Sequence, residues 1–473
     1  METVLTLANA YFVFVIIYFI LLNVSHTILL ALSFREIMYY MRHNSFESLR
    51  GLVQSELAPP VSILAPAFNE EQTVVESVRS LLKLSYGTYE VVVINDGSSD
   101  RTLGRLTKEF DLFVSKRRYQ SLLPSQSVRG IYRSRRPEYR HLVVVDKENG
   151  GKADALNAGI NVARYEYFCA IDADSILEEE ALQKVVKPFL EDERVIAAGG
   201  IVRIANGCEI RNGRVVRIGL SDKLLPIFQV VEYFRAFLSG RMGWQALNGL
   251  LIISGAFGMF RRSAVIEAGG YDVTTVGEDM ELVTRLHRIK LEKREPYRIV
   301  FVPDPVCWTE APETFKVLSR QRNRWHRGLL DVILRHRTML FNKQYGVIGN
   351  AAMPYFLFVE LLGPVFEFIG YVLMLAMLAL GILNVTLTIL FFIVALFYGV
   401  IFSVGAVLLE EISFRRYPNP RHLALLLSIG VLENFGYRQL TAWWRVKAFF
   451  DYATGERRWG VMTRSGFQKG SMR

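Results

Sequence analysis

The sequence predicts an α/β domain with a mostly parallel sheet, joined to an α-helical transmembrane region. Two observations predict this fold. Short apolar runs of strand length alternate with helical patterns through the first half of the chain, and long uncharged runs lie near both ends. Strands that alternate with helices form parallel sheets with right-handed crossovers, and an uncharged run of about 20 residues is long enough to cross a bilayer as a helix.

Composition and charge narrow the class of protein. The chain has 473 residues, of which 51% are hydrophobic, and a formal net charge of +10. Because this is more apolar than an ordinary soluble domain, we expect a membrane protein. Three widely separated cysteines argue against a disulfide framework and against structural zinc. The basic residues collect beside apolar segments and in one short region, so membrane surface and phosphate binding explain them better than nucleic acid, which is not an expected partner.

The first transmembrane helix is predicted in residues 1–34. No aspartate, glutamate, lysine or arginine occurs from Thr3 to Phe34, whereas arginines follow at positions 35, 42 and 50. The positive-inside rule therefore predicts an N-terminus outside the cell, with a linker at 35–60 in the cytoplasm. A cleaved signal peptide is the alternative, but the apolar run is too long for one and no basic segment precedes it.

An α/β domain is predicted to follow at 61–312. Its predicted strands are 61–66, 90–95, 141–146 and 167–171, and its predicted helices include 71–84 and 152–163. Ligands of such sheets bind beyond the carboxyl ends of the strands. Chemically active residues are therefore expected at those ends.

Acidic residues follow three of the predicted strands. Glu70 follows the first and Asp96 the second. Carboxylates in such places bind ribose hydroxyls or base edges in nucleotide folds, although they also occur in ordinary turns. Asp172 and Asp174 follow the apolar strand at 167–171. Because two ionised carboxylates this close repel each other, we expect a hard divalent cation that also binds diphosphate oxygens.

Two predicted helix starts carry charged residues. Gly150 and Gly151 precede Lys152, an arrangement that suits an anionic ligand but lacks the spacing of a Walker A loop, so ATP hydrolysis is not expected. Glu278 and Asp279 open a predicted helix at 280–289. The helix dipole keeps a carboxylate there ionised, so Asp279 is a candidate general base. Ordinary capping of the helix is the alternative.

A third motif lies in predicted interfacial helices at 313–345. Gln321, Arg324 and Trp325 recur at helical spacing and share one helix face. A guanidinium there neutralises a diphosphate and an indole stacks on a sugar. The alternative is a basic amphipathic helix on lipid, with its tryptophan at the interface.

The C-terminal transmembrane region is predicted at 346–444, with two or three spans. Residues 368–409 carry no charge and are interrupted near 381–384, which predicts two spans. Residues 422–444 contain Glu433 and Arg438 and form either a further span or a re-entrant or interfacial helix. A basic tail follows at 445–473.

One basic segment has no clear place in this scheme. Residues 115–140 carry seven arginines and one lysine. We interpret them as an exposed loop or short helix near lipid headgroups, and a solvated insertion without a role remains the alternative.

The ordered motifs resemble those of the membrane-embedded processive family 2 glycosyltransferases, which include cellulose, chitin and hyaluronan synthases. The resemblance covers roughly 61–325. Within that family the chain most resembles the bacterial poly-N-acetylglucosamine and chitooligosaccharide synthases, through its sequence at 150–157 and its single N-terminal span. Gly277 stands where cellulose synthases usually have threonine, which weakens a glucose assignment.

The resemblance implies an inverting enzyme with a GT-A domain on the cytoplasmic side of the bacterial inner membrane. It implies polymerisation of a β-linked polysaccharide from a UDP-sugar, with UDP-N-acetylglucosamine favoured and UDP-glucose next. The growing polysaccharide is the implied acceptor and membrane lipid the surroundings, while export or regulatory partner proteins are left open.

The same resemblance assigns roles to individual residues. Asp279 is the implied general base, supported by Glu278. Mg²⁺ or Mn²⁺ is the implied cofactor, bound by Asp174 with Asp172. The residues implied in donor binding are Glu70, Asp96, Lys152, Asp172, Gln321 and Arg324. Those implied in acceptor binding are Trp325, Ser254 and Gly255.

Three other functions remain open from the sequence. A non-processive glycosyltransferase would add one sugar to a membrane lipid. A catalytically silent membrane subunit would conduct a polymer made elsewhere, but the full set of acidic motifs argues against it. A basic nucleic-acid binder would use residues 115–140 and would show salt-dependent affinity.

Overall fold

The computed structural model describes residues 2–43, 58–172, 175–211 and 213–455. They divide into two compact units, each built from separate stretches of chain. The helical unit contains the residues up to Tyr40, Lys223–Gly249 and the residues from Pro312 onward. The α/β unit contains the residues between these stretches, up to Asp222 and again from Leu250 to Ala311.

Within the described residues, ten strands form one sheet in the α/β unit and two more form a hairpin. The strands are β1 (Val61–Ala67), β2 (Tyr89–Asp96), β3 (Leu112–Val114), β4 (Val128–Ser134), β5 (Leu142–Lys147), β6 (Tyr167–Ile171), β7 (Ile176–Leu177), β8 (Val195–Ile204), β9 (Glu209–Arg211), β10 (Arg214–Arg217), β11 (Phe257–Arg261) and β12 (Arg298–Thr309). The order in the large sheet is β3-β4-β5-β2-β1-β6-β11-β8-β12-β7, and β9 pairs with β10.

The centre of the sheet is parallel. Strands β5, β2, β1 and β6 run in one direction, and β11 runs against both β6 and β8. Every residue of β2 and β5 is buried, as expected for parallel strands covered on both faces. This explains why these strands are continuous apolar runs in the sequence rather than alternating ones.

The helices complete both units. In chain order they are α1 (Glu2–His43), α2 (Val74–Leu81), α3 (Thr102–Phe110), α4 (Lys152–Val162), α5 (Ala181–Glu191), α6 (Leu224–Tyr233), α7 (Arg241–Ala246), α8 (Arg262–Glu267), α9 (Glu278–Lys293), α10 (Phe315–Arg335), α11 (Ile348–Ala379), α12 (Val385–Ser413), α13 (Pro420–Leu432) and α14 (Tyr437–Ala453). A π-helical stretch, Phe234–Gly240, joins α6 to α7. Helix α4 packs against β1 and β2.

Three described helices are long and apolar enough to cross a membrane: Asn9–His43 within α1, α11 and α12. They overlap the three spans that the sequence predicts, but α11 begins at Ile348, about 20 residues before the uncharged run at 368–409. The region at 422–444 instead consists of the short apolar helix α13, a break, and the start of α14. Helix α1 packs on the other two spans, since the Asn23 amide donates to the Val394 carbonyl at 2.9 Å and the Tyr18 hydroxyl to the Phe358 carbonyl at 2.9 Å.

The structure departs from the predicted boundaries in two other places. Helix α1 continues to His43, past the predicted start of the linker; the linker from 44 to 57 and the tail beyond 455 lie outside the described residues. Lys223–Gly249 groups with the helical unit, although the prediction includes it in the α/β domain. The reason is long-range pairing, because the Gln229 amide donates to the Pro312 carbonyl at 2.8 Å and Glu232 binds Arg322 at 2.7 Å.

The basic segment at 115–140 is more ordered than the predicted loop or short helix. Part of it forms β4, which pairs with β5 near the end of the sheet. Arg117 is largely buried, where its guanidinium binds Glu90 at 3.0 Å and the Val162 carbonyl at 2.6 Å. At least this arginine therefore serves the fold and is not available to lipid headgroups.

Candidate active site

Those predicted site residues of the α/β unit that the structure describes lie along one edge of the sheet. The carboxyl ends of β5, β2, β1 and β6 meet there because the four strands are parallel. Strand β11 begins at the same edge, since Phe257 pairs with Ile171 in an antiparallel register. This geometry brings the segment before β11, with Ser254 and Gly255, next to Asp172.

Lys152 is the centre of a charged cluster at this edge. Its ammonium, at the first turn of α4, donates to Asp172 Oδ1 and to the Gly255 carbonyl at 3.0 Å. Glu278 Oε1 lies 3.8 Å from the same nitrogen. Burial opposes the charge of Lys152, but Asp172 and Glu278 outweigh it and raise the pKa of the lysine. The lysine therefore stays cationic and holds together carboxylates from two different elements.

Asp279 is held in one orientation by backbone donors. The Gly255 N–H donates to its Oδ2 at 3.0 Å and the Met280 N–H to its Oδ1 at 2.9 Å. The residue stands in the first turn of α9, after Gly277 at the helix N-cap. Each oxygen keeps a lone pair beyond these bonds, so the carboxylate is fixed and can still accept a proton.

Gly255 separates the two charged groups. A Cβ on this residue would lie 2.9 Å from the Lys152 nitrogen and 3.4 Å from Asp279 Oδ2. Both Gly255 and Ser254 are half-buried. A side chain at this position would displace the lysine ammonium, so glycine lets the backbone pass between the lysine and the carboxylate without moving either.

Asp96 and an unpredicted lysine order the segment that leads into Lys152. The Asp96 carboxylate accepts the N–H groups of Gly150 at 3.0 Å and Gly151 at 2.8 Å. The fully buried Lys147 donates to the same carboxylate and lies 2.6 Å from Asp154 Oδ1. In this structure Asp96 therefore positions the start of α4, and its contact with a donor stays a prediction.

Glu70 lies in a turn that is tied to the turn after β2. Its carboxylate accepts the Thr73 hydroxyl, and its N–H donates to Thr102 Oγ1 at 2.9 Å. The neighbouring Asn69 side chain accepts the Ser99 N–H at 2.9 Å. These bonds hold together the turns that follow β1 and β2. The role of Glu70 in donor binding stays a prediction.

The donor chemistry at the sheet edge suits a hard divalent cation. Asp172 is partly exposed at the end of β6 and offers carboxylate oxygen, the ligand that Mg²⁺ and Mn²⁺ prefer. Its predicted partner Asp174 lies outside the described residues. Among the residues that are described, no three His, Cys, Asp or Glu side chains group around a metal position. Asp172 is thus a described residue that fits one ligand position of such a cation.

Asn157 joins α4 to the approach to α9. Its Oδ1 accepts the Tyr271 N–H at 2.7 Å and its Nδ2 donates to the Tyr271 carbonyl at 2.9 Å. Asn161, one turn later, binds the backbone of Leu123 in the same two-way manner at 2.9 and 2.8 Å. Each amide thus binds the backbone of a distant segment. Asn157 ties α4 to the segment that leads into α9, and both helices carry predicted site residues, whereas Asn161 ties α4 to the loop that contains Leu123.

We expect Asn157→Asp to lose stability and activity together. The substitution keeps the shape but sets an oxygen against the Tyr271 carbonyl, which should cost about 2 kcal/mol of unfolding free energy. It should also lower the transfer rate about tenfold, because Lys152 on α4 and Asp279 on α9 are no longer held at a fixed relative position. Asn161→Asp is the matched control: denaturation should show a similar loss of stability, with near-normal transfer per folded molecule. Equal losses of transfer in both variants would contradict the link to the site.

His287 fixes the backbone that precedes Ser254. Its Nε2 lies 2.8 Å from the Leu250 carbonyl, so this nitrogen must carry the proton, and Nδ1 then accepts the Tyr297 hydroxyl at 2.6 Å. Burial lowers the pKa of His287 to about 4, although the bond to Leu250 acts in the opposite direction. The imidazole is therefore neutral in the folded protein near pH 7.

This low pKa predicts a pH-dependent stability. Below the ordinary histidine pKa of about 6.5, His287 binds a proton in the unfolded chain but stays neutral in the folded protein. The free energy of unfolding therefore falls from pH 6.5 towards pH 4, by up to roughly 3 kcal/mol. We expect the thermal unfolding midpoint to fall between pH 7 and pH 5 and to fall less in His287→Gln, which keeps a donor for Leu250. Identical pH slopes in the two proteins would contradict this assignment.

The predicted residues Gln321, Arg324 and Trp325 lie on α10 in the helical unit. The Trp325 indole is 37% exposed and Gln321 and Arg324 are half-buried. The structure thus presents them on one helix of that unit, as their spacing predicts. Their roles towards a donor and an acceptor stay predictions.

Comparisons with known proteins agree with these features. Residues 59–328 match the model of a family described as glycosyltransferase like family 2, and residues 271–459 match one described as chitin synthase. A poly-beta-1,6-N-acetyl-D-glucosamine synthase of Staphylococcus aureus strain COL is 29% identical over 276 residues, which are 58% of this chain and 56% of that protein. One from Staphylococcus epidermidis is 29% identical over 300 residues, which are 63% and 61% of the two chains.

The chain spans little more than half the length of these curated relatives. Among solved structures, a mannosyltransferase from Pyrobaculum calidifontis in complex with GDP-mannose and Mn²⁺ is similar with a TM-score of 0.49 and 18% sequence identity. That similarity covers 87% of this chain and 99% of the other.

Proposed function

This chain belongs to the glycosyltransferase like family 2, and from that premise we propose that it polymerises a β-linked polysaccharide from a UDP-sugar. The observation that carries the proposal is Asp279, held by two backbone N–H groups in the first turn of α9 and separated only by Gly255 from Lys152. Direct displacement at a sugar carbon needs such a pair, namely a base for the attacking hydroxyl and positive charge for the leaving group.

The proposed reaction is a single displacement. Asp279 accepts the proton of an acceptor hydroxyl while that oxygen forms a bond to C1 of the donor sugar. The bond between C1 and the diphosphate oxygen breaks, and UDP leaves with the electron pair, so the configuration at C1 inverts. Lys152, which is cationic at the edge of the sheet, stabilises the negative charge of the diphosphate. Glu278 and Asp172 in turn keep Lys152 in place.

Asp172, with Asp174, would hold Mg²⁺ or Mn²⁺ in this proposal. Such an ion, when bound, neutralises charge on the diphosphate. Gln321 and Arg324 would bind the diphosphate, Glu70 and Asp96 the nucleoside side of the donor, and Trp325 with Ser254 the acceptor sugar.

The donor favoured by the comparisons is UDP-N-acetylglucosamine. The relatives of known activity are named as poly-beta-1,6-N-acetyl-D-glucosamine synthases, and a second family model is that of chitin synthase. The three apolar helices are long enough to cross a membrane, and we propose that the protein lies in the bacterial inner membrane and passes its product through the helical unit. Both statements concern the whole protein and are part of the proposal.

The test is UDP release by the purified full chain in detergent against a panel of UDP-sugars, with and without Mg²⁺ or Mn²⁺, followed by sizing of the radiolabelled product. We expect metal-dependent turnover of UDP-N-acetylglucosamine into long chains. A product of one sugar on a lipid would support the non-processive alternative instead. No turnover of any donor would overturn the proposed function.

A further inference from the structure

A buried group of three polar side chains anchors α10 in the helical unit. The Arg322 guanidinium donates through Nη2 to Glu232 Oε2 at 2.7 Å, and the Tyr437 hydroxyl donates to the same oxygen at 2.9 Å. The Arg322 side chain is completely buried and that of Glu232 nearly so. Burial raises the pKa of Glu232, but Arg322 outweighs it and lowers this pKa. An ion pair thus joins α6, α10 and α14 at one point.

Arg322 also contacts two residues of the motif on its own helix. Its Nη1 donates to Gln321 Oε1 at 2.6 Å, and its guanidinium carbon lies 4.3 Å from the ring centre of Trp325. Because arginine has no acceptor, the Gln321 amide must turn its oxygen towards Arg322 and its NH₂ group away. The Gln321 NH₂ group is therefore presented as a donor, and the indole rests on a fixed cation.

We propose that Arg322 is a positioning residue for sugar transfer, which sets the orientation of the Gln321 amide and of the Trp325 indole. The motif shared with the family specifies Gln321, Arg324 and Trp325 but leaves position 322 open, so this role comes from the contacts alone. The inference rests on the proposed function, in which Gln321 binds the donor diphosphate and Trp325 binds the acceptor sugar.

Charge balance alone does not explain the choice of arginine. A buried lysine could pair with Glu232, but a lysine ammonium lacks the planar fork of an arginine. It could not also bond the Gln321 oxygen and approach the Trp325 ring as Arg322 does. Buried ion pairs are often replaceable by apolar residues of similar volume without loss of stability. Substitution of the ion pair can therefore change the orientation of Gln321 and Trp325 while the folded protein keeps its stability.

The test compares Arg322→Lys with a triple variant, Arg322→Met, Glu232→Leu and Tyr437→Phe, which removes both charges and the hydroxyl that would lose its partner. We expect both proteins to keep unfolding midpoints within a few degrees of the wild type. We expect the transfer rate per folded molecule to fall at least tenfold in each, the KM of an acceptor oligosaccharide to rise, and the product chains to shorten.

Arg335→Lys is the matched control, since Arg335 binds Asp331 at 2.7 Å on the same helix and lies about 15 Å along the helix axis beyond Trp325; its transfer rate should stay within twofold. Normal transfer by Arg322→Lys or by the triple variant would overturn the positioning role, and so would a loss no greater than the loss of folded protein. If the triple variant does not fold, Arg322→Lys decides by the same criteria. A wild-type protein that transfers no sugar would overturn the proposed function itself, and this role with it.

Discussion

Replacing Asp279 by asparagine is expected to lower the transfer rate by about 10³-fold while UDP binding stays within twofold of the wild type. Asparagine has the same shape, and its amide oxygen can still accept one of the two N–H groups that hold the aspartate. It cannot take a proton from a hydroxyl at neutral pH, and general base catalysis is typically worth 10²- to 10⁴-fold. Steady-state transfer and calorimetric titration with UDP measure the two quantities.

Asp272→Asn is the control for this substitution. Asp272 lies in the approach to α9, where its carboxylate accepts the N–H of Thr274 at 2.7 Å and its hydroxyl at 2.6 Å. Because this carboxylate caps a turn and holds no proposed reacting group, the control should transfer sugar at close to the wild-type rate. An active Asp279→Asn variant would remove Asp279 from the role of base.

Replacing Lys152 by methionine is expected to weaken UDP binding about 100-fold and to lower transfer by at least as much. The lysine is the cation that pairs with Asp172 and lies close to Glu278 and Asp279. Without the lysine, the carboxylates of Asp172 and Glu278 repel each other, and they also repel the incoming diphosphate. A 100-fold change corresponds to about 2.7 kcal/mol of binding free energy, which is reasonable for a charged contact.

Lys290→Met tests whether loss of any doubly paired lysine has this effect. Lys290 lies on α9 and contacts Glu267 at 2.6 Å and Glu295 at 2.5 Å, so its electrostatic surroundings resemble those of Lys152. We expect some loss of stability and near-normal UDP binding. Wild-type UDP binding by Lys152→Met would show that the lysine serves the fold and not the donor.

The fold follows from the sequence because its signals are local. An apolar run with a turn residue at each end defines a strand, and the predicted strand at 167–171 coincides with β6. The alternation of strands and helices then fixes a parallel sheet, and the ordered motifs identify the family, which the match over residues 59–328 confirms. The strand-end rule also places Asp96 and Asp172 at the same edge, as the structure has them.

The parts that sequence reasoning missed depend on partners far along the chain. Lysine is seldom fully buried, so nothing local indicates that Lys147 lies between Asp96 and Asp154. Asn157 binds the backbone of a residue 114 positions away, and a backbone partner leaves no mark in the sequence. The assignment of Lys223–Gly249 to the helical unit has the same origin, since Arg322 fixes its position.

The pairing of α1 with the other spans has a consequence for how the protein is made. Asn23 donates to a carbonyl 371 residues later, and Tyr18 to one 340 residues later. At synthesis rates of about 5 to 20 residues per second, roughly 20 to 70 seconds pass between the synthesis of Asn23 and that of Val394. Polar side chains without partners are costly in lipid, so through that interval other groups must satisfy Asn23. The contact between Asn23 and α12 can therefore form only after Val394 has been synthesised.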